Sequence, residues 1–566
     1  MPSTTCSSQI PARTAESLWW RHAVVYQVYL PSFQDSNDDG IGDLLGLRQR
    51  LPYIKSLGVD ALWVTPFYAS PFRDCGYDVR DHCDVDPRFG TLADIDTLIS
   101  EAHALDMRLM LDQVYSHTSD THPWFDASRR DSAGPFGDWY VWADAKADGS
   151  PPNNWLSALG SGSAWSWDAH RHQYYLHNFD RSQPDLNFHC PAVQEATLDI
   201  ARFWLERGVD ALRLDVANYY FHDAQLRDNP PRQSDARADV WLSPHGMQAH
   251  RYERSQPGSL RFAARLRQLV DSYPGRMVMG ELFSDHPATR IREYTAPEHL
   301  HTTYSYAFLG KRFDTHHFRA QLAALPLDTC WPTWTFSNHD RPRVLSRWSA
   351  QDESHPSTTD LEADATLTKA KAKCLQALLL SLPGMICLYQ GEELGLPEAQ
   401  LQRHQLRDPL GIQLWPEYQG RDGCRTPMPW QRRAKHAGFG NAQPWLPIAP
   451  SHLHLAVDQQ QDDVNSVLYH CKCFIELRKQ HPAFQSTTLE WIACPAAVLA
   501  FYRGTDSTRL AMFWNLSPTH VTLDRTLLRD QLDIVCSNME GETTSVFASP
   551  TLRPWEYRVL SKPSSE

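Results

Sequence analysis

Gly208-Val-Asp-Ala-Leu-Arg-Leu-Asp215 decides how this chain is read. Val209, Ala211, Leu212 and Leu214 make a short apolar strand, and it ends on an acid. Arg213 stands two positions before Asp215, so both side chains leave the strand on the same side. A neighbouring guanidinium favours the ionised carboxylate. A structural salt bridge is the plain alternative.

Working outward, similar short runs recur along the sequence: Val24–Leu30, Ala61–Phe67, Arg108–Val114, Met277–Gly280, Thr303–Phe308, Thr333–Phe336 and Met385–Tyr389. Amphipathic stretches such as Val193–Arg207 and Asp364–Leu382 lie between them. Eight strands alternating with helices predict an α/β fold, a closed (β/α)8 TIM barrel. An open doubly wound sheet also alternates, but it carries a Gly-rich first turn that this chain lacks.

The 566 residues exceed what one core serves, so further domains are expected. The Gly-, Pro- and Trp-rich text after the third strand is too long for a loop and predicts a small inserted domain over 118–185. Residues 18–117 and 186–482 are assigned to the barrel, and 1–17 to a flexible N-terminus. From 483 to 566 the helical period gives way to alternating strands, predicting a C-terminal antiparallel β-sandwich domain. Ser349–Asp364 reads as an exposed loop over the barrel mouth.

A net charge of −13 argues against nucleic acid or an anionic membrane as partner. With 20 Trp and 21 Tyr the chain is rich in flat apolar rings, which suit sugar faces. The 12 cysteines form no CxxC pair, and the N-terminus has no apolar leader. Both features predict free thiols and a cytoplasmic location.

Barrels place chemistry at the C-terminal ends of their strands. Acids stand at four such ends: Asp112, Asp215, Glu281 and Asp340. Any one of them could be a helix cap, but four at corresponding ends point to chemistry that needs anions. Cleavage of a glycosidic bond is such chemistry, because its transition state is oxocarbenium-like. One carboxylate attacks while a second, protonated, donates to the leaving oxygen; retention needs them about 5–5.5 Å apart. His117 and His339 flank the acids and could hydrogen-bond hydroxyls.

Asp35-Ser-Asn37-Asp-Asp39-Gly-Ile41-Gly-Asp43 sets oxygen donors at alternate positions, a pattern suited to a hard cation, with Ile41 offering its carbonyl. An EF-hand is excluded, since Gly46 occupies the twelfth position.

Asp112-Gln-Val-Tyr-Ser-His117, Gly208–Asp215, Gly280-Glu281 and Phe336-Ser-Asn-His-Asp340, in this order, resemble motifs of the α-amylase superfamily, glycoside hydrolase family 13. Gln183-Pro-Asp-Leu-Asn187, Tyr389-Gln-Gly-Glu-Glu393 and Arg425-Thr-Pro-Met428 resemble its oligo-1,6-glucosidase and α-glucosidase branch. The resemblance implies Asp215 as nucleophile, Glu281 as acid/base and Asp340 as transition-state stabiliser. It further implies that Asp74 and Arg421 close the non-reducing end of the pocket, giving exo action, and that Tyr77 stacks under the first sugar. The 35–43 segment is similar to that branch's structural Ca2+ (or Mg2+) loop. His82 stands where a tyrosine is common, and Ser116 where asparagine is.

The implied activity is a retaining, exo-acting α-glucosidase working on short oligosaccharides, with glucosyl transfer as an added capacity. Val216 after the nucleophile resembles α-1,6-acting enzymes. Tyr220–Pro231 and Gly420–Cys424 resemble α-glucosidases of short substrates. Linkage therefore stays open between α-1,4 and α-1,6. The alternative within the family is a sucrose- or trehalose-acting transferase or isomerase. The Arg-Leu-Asp-Arg motif of sucrose isomerases is absent, Asp340-Arg-Pro-Arg343 standing in its place. A catalytically dead transporter partner would have lost the acids and gained a membrane helix.

Overall fold

The eight apolar runs become β1 (Val24–Val28), β2 (Ala61–Val64), β3 (Arg108–Gln113), β4 (Ala211–Leu214), β5 (Met277–Leu282), β6 (Thr302–Ser305), β7 (Pro332–Trp334) and β8 (Met385–Tyr389). This is a computed structural model, and it describes residues 15–159, 162–232, 244–349, 361–524, 533–538 and 550–562. Each strand pairs in parallel with its neighbours in sequence, and β8 closes onto β1. The expected (β/α)8 barrel is therefore present. The sixth run is shorter than its apolar text, because Ser305 accepts a hydrogen bond from Ala307 N and turns Tyr306–Phe308 into a 3-10 helix.

Strand alternation sorts the side chains. Val25, Trp63, Met110, Ala211, Met277, Met279, Tyr304, Met385 and Cys387 fill the barrel interior as one cluster. Tyr26, Leu62, Leu109, Leu111, Leu212, Leu214, Val278 and Leu388 point outward and join the larger core. Trp20 and Trp331, met edge to face at 6.1 Å, precede β1 and β7 and plug the N-terminal mouth. The same parity puts Asp112 above Met110, Arg213 above Ala211 and Glu281 above Met279. The polar layer is thus the top layer of a packed apolar barrel.

The segment after β3 contains the helix Pro123–Arg130 and a three-stranded antiparallel sheet with Gln173–Leu176 at its centre. Val141, Trp155, Ala164, Trp165 and Leu176 form its own small core. Beyond the helix Val467–Gln480 lies a five-stranded antiparallel sheet in the order 489–491, 498–503, 510–515, 557–561, 533–537. Val498, Ala500, Ala511, Phe513 and Leu560 on one face pack with Leu523 and Leu552 near a two-stranded ladder. The opposite face, with Phe501, Met512 and Trp514, joins the main core. Most of the expected N-terminal arm and of the 349–364 loop lies outside the described residues.

Candidate active site

Arg213 organises the top of the barrel. Its Nη1 donates to Asp112 Oδ1 at 2.7 Å and to Asp215 Oδ1 at 2.8 Å. Its Nη2 lies 2.7 Å from Glu281 Oε1, an ion pair without hydrogen-bond alignment. The β3–β4 register sets Asp112 directly beside Arg213, and β5 is the next strand round the ring. The terminal nitrogens of a planar guanidinium are about 2.3 Å apart, so the contacted oxygens of Asp215 and Glu281 lie within about 8 Å. They face one another across a single cation.

Two backbone features fix this geometry. A Cβ on Gly280 would stand 2.4 Å from Leu300 Cδ1, so a larger residue could deliver Glu281 here only by displacing that leucine. Val216 follows Asp215 in the left-handed region, at φ 34° and ψ 53°, which is uncommon for a β-branched residue. The turn brings Val216 N to 3.0 Å from Glu281 Oε2, to which it donates. Strain of this kind costs about 1–3 kcal/mol and is held by its surroundings. Tyr306 OH donates to Glu281 Oε1 at 2.7 Å.

A second cluster lies beside the first. Arg421 Nη2 pairs with Asp74 Oδ1 at 2.5 Å and with Asp408 Oδ1 at 2.8 Å. Its Nη1 reaches Asp340 Oδ1 at 3.4 Å, and Arg425 Nη2 donates to the same oxygen at 2.9 Å. Tyr77 and His339 bridge the clusters. Tyr77 OH contacts His339 Nε2 at 2.6 Å and donates to Asp112 Oδ2 at 3.0 Å. Gln27 Nε2 holds the other ring nitrogen of His339 at 2.7 Å. The Tyr77 and His339 rings lie within 4° of parallel with centroids 5.4 Å apart, side by side across that contact.

The two clusters treat charge differently. Burial raises Asp215 well above the usual carboxylate range, helped by Glu281 and Asp112 and opposed by Arg213. Burial likewise raises Asp112 to about 6, against the pull of Arg213. Asp340 is also penalised by burial, yet His339, Arg421 and Arg425 hold it well below that range. The Asp340 side chain is 24% exposed against 2% for Glu281, so the site meets solvent on the Asp340 side.

Of the residues singled out in the sequence, Asp74, Tyr77, Arg213, Asp215, Glu281, His339, Asp340 and Arg421 form one continuous network. His117 sits a step behind it, 3.1 Å from both Tyr77 O and Gln183 Nε2. Burial lowers it to about 3, so it is neutral. His82, where a tyrosine is common, is buried and bonds Val114 O at 2.8 Å. Asp408, Arg425, Gln27 and Tyr306 belong to the network without having been assigned a role, as does Gln183, which donates to Asp74 Oδ2 at 3.0 Å.

The 35–43 loop folds on itself. Asp35 accepts from Asn37, Asp38 and Gly40 N, and Asp39 Oδ1 accepts from Ile41 N. Asp43 caps the helix Leu44–Gln49 through Gly46 N and also accepts from Ser36. Its donors are all hard oxygens, and a carboxylate oxygen bonded to one N–H keeps a lone pair.

Residues 27–487 match the α-amylase catalytic domain. The chain belongs to the α-amylase family. This glycoside hydrolase is 47% identical over 539 residues to a probable α-glucosidase of Rhizobium meliloti, covering 94% of each chain. It is 33% identical to the oligo-1,6-glucosidase of Parageobacillus thermoglucosidasius, covering 96% of this chain and 99% of that one. A solved α-glucosyl transfer enzyme superposes with a TM-score of 0.88 at 44% identity, covering 96% and 99%. The family and branch implied by the motifs are therefore the observed ones.

Proposed function

We propose that this glycoside hydrolase is a retaining, exo-acting α-glucosidase of short α-glucosides. The observation that carries the reading is the convergence of Asp215 and Glu281 on one guanidinium, beside the Asp340–Arg421 pair. Asp215 Oδ attacks the anomeric carbon while Glu281 gives its proton to the glycosidic oxygen, so the C–O bond breaks and a glucosyl ester forms. Water then attacks that ester. Glu281 takes the water's proton, glucose leaves, and Asp215 is restored as carboxylate. A sugar hydroxyl in place of water completes a transfer instead; the α-glucosyl transfer relative supports that capacity. Asp340, ionised throughout, faces the developing positive charge, and the Asp74–Arg421 pair holds the terminal hydroxyls.

Asp215→Ala and Glu281→Gln are each expected to lower turnover of an aryl α-glucoside by about 10³-fold or more. Full turnover in either variant would remove the proposal. Incubation with maltose, isomaltose, sucrose and kojibiose, read by product over time, separates the linkages and tests sucrose rearrangement. Preference for isomaltose favours the cue at Val216, and preference for maltose favours that of Tyr220–Pro231.

In the same reading Asp35, Asn37, Asp39, the Ile41 carbonyl and Asp43 hold a structural Ca2+ (or Mg2+). Burial and the nearby Asp39 carboxylate raise Asp35, which a cation would relieve. The ion would neutralise that loop and take no part in the chemistry. Chelator is expected to lower the melting temperature by about 2–5 °C, restored by Ca2+; an unchanged melt would oppose it. The described cysteines are all free thiols, which supports the cytoplasmic location. No helix among the described residues is long and apolar enough to cross a membrane.

A further inference from the structure

Between β4 and the helix Pro257–Asp271 lies a group with no part in the chemistry above. His245, His250 and Glu253 offer one imidazole nitrogen each and a carboxylate oxygen, all within 4.8 Å of one another. It is the one such cluster of metal-binding side chains among the described residues. The His250 and Glu253 side chains are nearly fully buried, while His245 is half-buried and opens the cluster toward solvent.

The hydrogen bonds around His250 make the cluster more than a coincidence. Its Nε2 lies 2.9 Å from His245 O. A carbonyl can only accept, so Nε2 carries a proton, and Nδ1 is the nitrogen that can take either a second proton or a metal ion. Nδ1 is in close contact with Glu253 Oε1. A lone pair and a carboxylate meet that closely only with a proton or another cation between them. Ring N–H to backbone carbonyl, with the other nitrogen free, is the arrangement that orients a metal-ligating histidine. Asn229 Nδ2 donates to Glu253 Oε2 at 2.6 Å, fixing the carboxylate from behind.

We propose that His245, His250 and Glu253 bind a transition-metal dication, zinc above all, with a fourth position open to water. Two imidazoles and one carboxylate suit Zn2+, with bonds of about 2.0–2.2 Å, and do not suit Ca2+ or Mg2+, which take oxygen. The His245 ring lies on that of His250 at 3.8 Å and 22°. A rotation of His245 about its Cβ–Cγ bond aims its nitrogen at the ion. Arg232 and Arg254, the nearby cations, are both engaged by Asp285 at 3.2 and 3.4 Å, which lessens their repulsion of the ion. Binding exchanges the shared proton for the metal, so one proton leaves for each ion taken up.

The site would brace the turn that follows Asp215. Asn229 Oδ1 accepts from Arg251 N and Tyr252 N. Ser255 N donates to Asn218 O at 2.6 Å, three residues beyond Asp215. Arg254 Nη1 donates to Tyr219 OH at 2.8 Å.

The test uses the tag-free full chain, stripped with chelator and dialysed. Calorimetric titration with Zn2+ in two buffers of different ionisation enthalpy is expected to give one ion bound and one proton released per chain. Co2+ in its place is expected to show the visible absorption of a four-coordinate site. His245→Ala, which removes a ring with no hydrogen bond among the described residues, should weaken zinc by about tenfold or more and abolish the cobalt spectrum. Glu253→Gln, which can still pair with Asn229, should do the same and release no proton. The proposal is overturned if wild type takes up no zinc, or if His245→Ala titrates like wild type.

Discussion

Two arginine-centred clusters meet at the top of the barrel, and they solve opposite problems. Around Arg213, the carboxylates of Asp112, Asp215 and Glu281 share one cation. Around Arg421 and Arg425, those of Asp74, Asp340 and Asp408 share two. In the first the charge balance is short, and Asp215 and Asp112 are pushed upward. In the second, Asp340 and Asp408 are pulled down although burial opposes it, while burial still raises Asp74 against the pull of Arg421. Equal numbers of buried acids thus give a site that keeps and moves a proton beside one in which Asp340 and Asp408 stay ionised. The cation count decides which.

Removing Arg213 is the largest disturbance available. Arg213→Met leaves three buried carboxylates without their shared cation, and about 3–5 kcal/mol of stability should go with it, read by thermal or denaturant melting. Turnover of an aryl α-glucoside should fall by about 10⁴-fold or more, since nucleophile and acid lose their common anchor. Arg213→Lys keeps the charge but cannot contact all three acids, so it should recover stability more than turnover. If lysine restores both, charge alone matters and the bridging geometry is incidental.

Arg421→Met strikes the other cluster. Asp74 and Asp408 lose their shared cation, while Asp340 keeps Arg425. The loss expected in kcat/KM is about 10²–10³-fold, most of it in KM, because the groups disturbed hold sugar and do not move protons. Asp340 stays ionised well below the ordinary carboxylate pKa, so its contribution to stability is present above that value and lost as pH falls toward its own. The acid limb of kcat/KM therefore belongs to the Arg213 cluster, which must lose a proton to free Asp215. That limb should stay in place in Arg421→Met. A shifted limb would show that the clusters titrate as one, through Tyr77 and His339.

The same contrast explains what the sequence could disclose. Asp112, Arg213, Asp215 and Glu281 sit on or immediately after strands, where a period of two and a terminal position announce them. The eight strands were legible for the same reason: each is a short apolar run whose inward and outward residues both face packed neighbours. Asp408, Arg425 and Arg421 come from long irregular connections after β8, where no period says which way a side chain points. Arg421 was found only through family likeness, and Asp408, 13 positions before it and accepting from both its backbone and its guanidinium, carried no signal at all. Gln27 is hidden differently. Its strand reads as apolar, and only closure of β8 against β1 shows that it reaches His339. The left-handed turn at Val216 is equally silent, since valine there breaks the local rule that a reader would apply.

Tyr306 provides the finest probe of the comparison. It lies just beyond β6, where the expected strand gives way to a 3-10 turn. It places one neutral donor on Glu281 Oε1, the oxygen that Arg213 Nη2 also approaches. Tyr306→Phe removes that hydroxyl and leaves the ring, so packing against Phe283 survives. A hydrogen bond to a charged acceptor is worth about 1.5–3 kcal/mol, and part of it returns as water enters. Turnover should therefore fall by only about three- to tenfold. The diagnostic is how the loss divides between kcat and KM. A hydroxyl that acts on Glu281 as charge moves in the transition state should lower kcat and kcat/KM together, with KM held. If Tyr306 only fills space, neither constant moves.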